Sequence, residues 1–446
     1  MQKADVLIIG AGMAGVAAAH ALKDSGLTTI VLEGSSERIG GRIWSSTKWS
    51  DCTIDLGASW LTHELINPLT DIVIANGIEV ADSELLDFSL RTANGRVLSQ
   101  AEIADLFVHF LAIYGEVKLN AQKYREEGRK DVAASEEFDR ILHARKLDRE
   151  VEDGVRYLMN FAIEEPNASG LKDLSLYNWD DDYVFVQMAL GVFPKGYKQL
   201  IDLFADGVDI RMDHVVDRVA YTDDDVTVST TKHGDFQAAQ AIIAVPHAIL
   251  HHKDIQFSPD LPAWKKQSIE NIRPGLSDKF YFRFPHVFWD QDRNLVNRID
   301  DTGQGRWSTW INYYKYTQKP VIFAFNRDEY ALQLEQMTDE QILAEAMPIL
   351  RKAYPQARVP EPEAIQRSHW GTSPLSRGTL THIPPGSHSA DYTNIGKPWR
   401  SLRFAGDSTV AEFPGLAMAA YMSGVREASR VRRHAGVLKP IRRRAK

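Results

Sequence analysis

Three glycines and an acid carry the first chemical signal in this chain of 446 residues. The stretch Gly10-Ala11-Gly12-Met13-Ala14-Gly15 follows an apolar run at 4–9 and precedes a helix-forming run at 16–22. A strand, a glycine turn and a helix form a cradle for phosphate. Gly10 would permit the sharp bend, Gly12 would let a pyrophosphate reach the N–H groups at the positive helix end, and Gly15 would let helix and strand pack closely. A second strand-like run, 28–32, ends at Glu33, about 20 residues into the motif, where an acid can accept hydrogen bonds from ribose hydroxyls. The alternative for Glu33 is a solvated strand end. Strand, glycines, helix and acid in register favour a dinucleotide, of a kind left open at this point.

Those residues need a parallel sheet to hold them. Runs 4–9, 28–32 and 239–246 read as buried parallel strands, and "SLRFAGDS" (401–408) reads as a last strand leading through a glycine turn into a helix at 416–434. Residues 100–162 are helical in character and resemble an inserted unit, while "VTVST" (226–230) alternates beside an acidic turn. "DKFYFRF" (278–284), "RWSTWINYY" (306–314) and "PVIFAFN" (320–326) suggest a mixed sheet in a second domain.

Composition bounds the function classes. With 44% hydrophobic and 25% charged residues the chain is ordinary for a globular protein, and a net charge of -8 argues against nucleic-acid binding. From Arg426 to Lys446 there are nine Lys or Arg and one acid, Glu427. An anionic surface could attract that stretch, but a basic helix end with a solvated tail is the favoured reading, because cations suit helix C-termini. No apolar run approaches the ~18 residues of a transmembrane segment. The first strand starts so near Met1 that no leader is expected, which points to the cytoplasm. Cys52 is the one cysteine, so neither an intramolecular disulfide nor a cysteine-rich metal site is expected, and the scattered histidines suggest no metal. The oligomeric state is left open, a homodimer included.

Further segments then carry a family resemblance. "RIGGRIWS" (38–45), "DLGASWL" (55–61), Asp213-His214-Val215-Val216 and "FAGDSTVAEFPGLAMAAYMSGVREA" (404–428) stand in the order and spacing of flavin motifs. "FPKGYKQLI" (193–201) and "FSPDLPAWKKQSI" (257–269) add a polyamine-oxidase flavour. Together they resemble the flavin-containing amine oxidase family over nearly the whole chain. The resemblance implies FAD, held without a covalent bond because "SRGTLTHIPPG" (376–386) lacks cysteine. Gly40 and Gly41 would let backbone amides reach the second phosphate, with Arg38 and Arg42 as charge-assisted partners. Gly57, Ala58, Ser59 and Trp60 belong to the third motif, and Val216 would meet the adenine through its backbone. Gly406 and Asp407, the latter where the family usually has glutamate, would serve the ribityl chain. Leu416 and Ala417 open a helix whose positive end would face the flavin pyrimidine.

Lys279 matches the family's active-site lysine, which holds a water against flavin N5; otherwise it is the outward face of an alternating strand. The chemistry implied is hydride transfer from the carbon beside nitrogen to flavin N5, giving an imine or iminium, with dioxygen reoxidising the flavin to release hydrogen peroxide. The expected fold is α/β, a Rossmann-type FAD-binding domain assembled from separated segments (1–80, 200–285 and 395–446). A substrate-binding domain with a mixed sheet and inserted helices would take 81–199 and 286–394.

The substrate cage departs from the family. Leu380 and Leu416 stand where two aromatic rings are expected to steer an amine. His63, Glu64 and Trp370 are candidate lining residues, and Arg327 follows Asn326 where the family tends to have small residues. Glu64 and Arg327 are either surface charges or, with Lys279, the catalytic set of a cavity suited to a larger amine or amide bearing its own carbonyl or carboxylate. Such a cavity would resemble tailoring oxidases of natural products used as antibiotics, including the macrocyclising amide oxidase of lankacidin-like polyketide biosynthesis. Two rivals share the domain plan: the non-enzymatic Rab GDP-dissociation inhibitors and the phytoene-type desaturases.

Overall fold

A computed structural model describes residues 2–179 and 190–437 and divides into two compact units. The first comprises 1–43, 198–270 and 390–446. Its centre is a five-stranded, all-parallel sheet in the order Ile210–Arg211, Thr29–Leu32, Val6–Ile9, Gln240–Ile243, Leu402–Phe404. Val6–Ile9 and Gln240–Ile243 are buried at every position, as strands covered on both faces must be. Helices Met13–Leu22 and Ala417–His434 pack so closely that a Cβ on Gly424 would lie 2.2 Å from the Ala14 carbonyl oxygen. A second five-stranded sheet contains Val216–Tyr221, Val226–Thr230 and Gly234–Ala238 as an antiparallel meander.

The second unit comprises 44–197 and 271–389. Its main sheet is mixed, six-stranded, in the order Ala364–Arg367, Ser277–Arg283, Val321–Arg327, Trp310–Ile311, Leu295–Arg298, Phe88–Arg91, with only the last pair parallel. Alternation sorts the two central strands: Tyr281 and Phe323 join the core beneath helices Gln100–Glu126, Ala134–Arg145 and Arg149–Met159, while Phe280, Phe282, Ile322 and Ala324 join that beneath Asp328–Glu335 and Asp339–Ala353. Gln100–Glu126 starts at a capping box of Ser99 and Glu102.

The unit boundaries differ from those expected. Residues 44–80 pack with the second unit because Trp60–Thr62 pairs with Leu190–Val192, and 271–285 do so because Ser277–Arg283 is a central strand of the mixed sheet. The helical stretch is a layer of that sheet. After Met159 the helix widens into a π-turn, Asn160–Glu164, which the sequence did not signal. Of the basic stretch, Arg432, Arg433 and His434 form the last helical turn, and 438–446 lie outside the described residues.

Candidate active site

The glycine turn of the first unit is built as a cradle. Gly10 has φ +101°, and Gly12 opens the helix without a side-chain cap. A Cβ on Gly15 would sit 1.9 Å from the Gly10 carbonyl oxygen, so this glycine serves packing. A Cβ on Gly12 would meet no protein atom nearer than 3.9 Å. A methyl group there would lie in ordinary contact with Gly40 and Gly41, beside helix N–H groups that no side chain satisfies and that a phosphate can reach. The Glu33 carboxylate accepts from Ala11 N at 2.7 Å and Ser35 N at 2.8 Å. Burial pushes its pKa up against those two bonds and Arg38. Val216 reaches the same end, because His214 N donates to Glu33 O (2.7 Å) and Asp213 N to Ser35 O (3.0 Å).

The second glycine pair is stacked on the first, Gly40 N donating to Ala11 O at 2.9 Å. Arg38 Nη1 donates to Gly41 O at 2.7 Å and so shapes this loop. Arg42 and Asp407, expected as two separate cofactor contacts, are paired with each other. The reason is electrostatic: an Asp407 carboxylate so nearly buried needs a counter-charge. Gly406 donates its N–H to Ser423 Oγ at 2.8 Å, and Leu416 precedes the last helix, whose first turn from Ala417 has no side-chain cap. These residues fit a dinucleotide with its diphosphate on the cradle and its ribose at Glu33. Among the described residues no cluster of His, Cys, Asp or Glu could hold a metal ion, and Cys52 is buried in the second unit's core.

In the second unit Lys279 is 5% exposed, not on a solvated strand face. Its Nζ donates to Asp55 O (3.1 Å), Gly57 O (2.5 Å) and Ser59 Oγ. An ammonium has three N–H donors, and all three are used. Trp60, Phe323 and Phe325 surround the nitrogen with ring centres at 5.1, 5.2 and 5.6 Å, and Trp60 stacks on Phe325. Burial pulls the Lys279 pKa down, with Asp55 opposing. Ala58 completes the loop that the lysine clamps. Trp370 clamps the same loop from another side, its Nε1 donating to Leu56 O at 3.0 Å, and it lies edge-on to Trp44.

Arg327 projects from the sheet face of Lys279, because Lys279 pairs with Phe325 and Ser277 with Arg327. It is 7% exposed, so it is no surface charge. Its Nη2 donates to Asn160 Oδ1 and Glu164 Oε2, both on the π-turn. Nε and Nη1 have no acceptor among the described residues. Glu64 is half-buried against Gly191 and makes no ion pair with Arg327. His63 before it has φ +53°, and burial lowers its pKa. Leu380 is half-buried, its carbonyl accepting from Gly275 N at 2.9 Å.

Two acids escaped sequence reasoning. Glu165, half-buried beside Arg327 and hydrogen-bonded by Thr309, has its carboxyl pushed up to about 7 by burial. Asp55, fully buried, opens the "DLGASWL" motif, and its first position was the available signal.

Comparisons with known proteins identify the family of the chain. The sequence model of the flavin containing amine oxidoreductases matches residues 13–432. The chain is 29% identical to polyamine oxidase 2 of Arabidopsis thaliana over 435 residues, 94% of this chain and 86% of that protein. It is 29% identical to lysine-specific histone demethylase 1B of Mus musculus over 96% of this chain, but spans only 52% of that longer protein. Cyclohexylamine oxidase from Brevibacterium oxydans IH-35A shares the fold, with a TM-score of 0.77 at 19% identity over 97% of this chain and 99% of its own. The matched family is one of oxidoreductases, so the non-catalytic alternative falls away. When bound, FAD would supply the electron acceptor for oxidation of a C–N bond. The chain belongs to the flavin containing amine oxidoreductases and is an FAD-dependent enzyme acting on CH–NH or CH–NH2 groups.

Proposed function

We propose that this enzyme oxidises the C–N bond of a substrate larger than a simple polyamine, one that brings its own carbonyl or carboxylate. The observation that carries the reading is Arg327, a buried guanidinium fixed by Glu164 and Asn160 through one nitrogen, with two further nitrogens free to donate. Such an edge suits a planar oxygen acceptor, which spermidine and benzylamine lack. Leu380, where the resemblance expects an aromatic ring, offers no cation–π attraction that would favour a bare ammonium. Glu64 and His63 are assigned to the substrate, Trp370 to holding the motif loop and the cavity wall.

Lys279 is assigned to the reaction side. Carrying the water that the family's lysine carries requires its neutral amine, which keeps a lone pair, or release of Ser59, because the ammonium has no donor left. The glycines 10, 12, 40 and 41, with Glu33, Arg38 and Val216, are assigned to FAD, and the Arg42–Asp407 pair to the edge of that site. Hydrogen peroxide is the second product on this reading. A cytoplasmic setting accords with the single cysteine. Among the described residues no helix is long and apolar enough to cross a membrane.

An amide nitrogen is the alternative to an amine, in a tailoring enzyme of the lankacidin-like polyketide type, and the donor edge of Arg327 favours it because an amide carries its acceptor with it. The deciding experiment mixes the enzyme anaerobically with amines, amino acids and amides while the flavin absorbance is followed. Bleaching by carbonyl-bearing substrates, slow bleaching by spermidine and benzylamine, and loss of turnover with FAD retained in Glu64→Gln and Arg327→Gln are expected. Rapid oxidation of spermidine, unimpaired in both variants, overturns the proposal.

A further inference from the structure

Asp55 sits at the end of the short strand Ile54–Asp55, fully buried, and every part of it is held. Its carboxylate accepts from the Ser45 hydroxyl and from the Tyr197 N–H at 3.1 and 3.2 Å. Its carbonyl accepts from the Tyr281 hydroxyl at 2.8 Å and from Lys279 Nζ at 3.1 Å. Burial pushes the Asp55 carboxyl up to about 6, while the Ser45 hydroxyl, the Lys279 ammonium and the Tyr197 N–H pull the other way, and Lys279, itself buried, keeps its proton more readily beside that anion. The groups facing this pair are Tyr197, Tyr281, Tyr313 and Cys52, and burial pushes each of them up, so they stay neutral near pH 7. The Lys279 ammonium contacts Asp55 through its carbonyl oxygen at 3.1 Å, and the carboxylate of the same residue opposes the effect of burial on the lysine.

We propose that Asp55 is the buried counter-charge of Lys279, a positioning residue that fixes where the lysine amine gains and loses its proton. The inference rests on the reading of Lys279 as a reaction-side group. It adds that the lysine is not tuned by its own burial alone. With the carboxylate ionised, the ammonium persists, holds Asp55 O, Gly57 O and Ser59 Oγ, and keeps the 55–59 loop in one shape. With the carboxylate neutralised, burial drives the proton off the lysine, which then has two donors for three acceptors and must accept from Ser59 instead. Ser45 and Tyr197, by hydrogen bonding to the charged carboxylate, favour the ammonium state.

The test titrates Lys279 directly and then asks whether catalysis follows. Holoenzyme labelled with 13C at lysine Cε gives a Lys279 signal, assigned by its loss in Lys279→Met, whose midpoint is read against pH. In Asp55→Asn, which keeps an oxygen for Ser45 and Tyr197, the midpoint is expected to fall by about one to three pH units, the size typical of a lost opposite charge. Ser45→Ala, which removes one bond to the carboxylate and spares the chain's charges, is expected to lower it by less. An unchanged or raised midpoint in both variants overturns the proposal. The pH profile of anaerobic flavin reduction should lose a limb in Lys279→Met, and that limb should move in Asp55→Asn with the midpoint. A midpoint that falls while the profile stays fixed supports the pair and overturns the reaction-side role of Lys279.

Discussion

Arg42 and Asp407 stand 365 positions apart in the chain and form one two-pronged ion pair, Nη1 on Oδ2 at 3.2 Å and Nη2 on Oδ1. Asp407 is nearly buried and Arg42 about a quarter exposed, so the carboxylate depends on the guanidinium more than the reverse. Arg42→Met is expected to destabilise the apoprotein by about 2–3 kcal/mol, less than a fully buried pair would lose, because Arg42 is partly in water. Arg42→Met with Asp407→Leu should recover much of that loss. Urea unfolding of the two single variants and the double variant closes the cycle; strict additivity would show that the two residues are not coupled.

Gly12 and Gly15 separate ligand space from packing. Ala at 15 puts a methyl group 1.9 Å from a backbone oxygen that cannot move without the strand, and Gly15→Ala should unfold the first unit or cost several kcal/mol. Gly12 has φ -75° and its Cβ would meet Gly40 and Gly41 only at ordinary contact distance, so Gly12→Ala should cost only about 0.5 kcal/mol as a poorer helix cap. The same methyl group occupies the approach to the helix N–H groups, so FAD affinity should fall at least about tenfold, a loss of roughly 1.4 kcal/mol. Apoprotein melting and FAD titration measure the two effects independently. Equal FAD affinity in Gly12→Ala would remove the diphosphate from this turn.

The contrast between those glycines and the lysine shows what the sequence made legible. Strand, turn and helix at 6–22 lie within one local stretch, where apolar runs and glycine spacing report geometry directly, and the parallel sheet around them follows from three such runs. The position of Lys279 was equally readable, but not its surroundings. Its acceptors at 55–59 lie more than two hundred residues away, and no spacing rule links an alternating strand to the carbonyls of a distant loop. Arg327 was legible as an oddity, while its partners on a π-turn were not, because "NFAIEEP" reads as an ordinary helix end. The boundaries at 44 and 271 were missed for the same cause: long-range strand pairing decided them.

Glu165 should leave a mark on the pH dependence of stability. Burial raises its folded value to about 7 from 4.5, against the pull of Arg327 and Thr309. Between those pH values the folded chain holds a proton that the unfolded chain has released. The stabilisation is therefore full below 4.5 and is lost as pH rises through 7, by up to about 3 kcal/mol. Glu165→Gln cannot titrate, so from pH 5 to pH 8 it should lose about 2 kcal/mol less stability than the wild type. Urea unfolding at the two pH values checks this; parallel losses would mean that Glu165 is ionised throughout.

Arg327 makes the most exacting demand on geometry, since one nitrogen is spent on Asn160 and Glu164 and two others remain. Lysine at this position could reach the π-turn or an acceptor beyond it, but its compact ammonium cannot do both in a fixed plane. Arg327→Lys should therefore lower kcat/KM by about 10²–10³ on a carbonyl-bearing substrate, equivalent to roughly 3–4 kcal/mol. Glu164→Gln keeps an oxygen acceptor and the tether, and should cost only about tenfold. Glu164→Ala leaves the guanidinium without its counter-charge and should combine a larger loss of turnover with a stability loss of about 3 kcal/mol. FAD content, read from the absorbance of each purified variant, should stay unchanged, because these residues belong to the second unit's own sheet face and π-turn. Full turnover in Arg327→Lys would reduce the guanidinium to a structural cation and return the substrate to one that brings no planar acceptor.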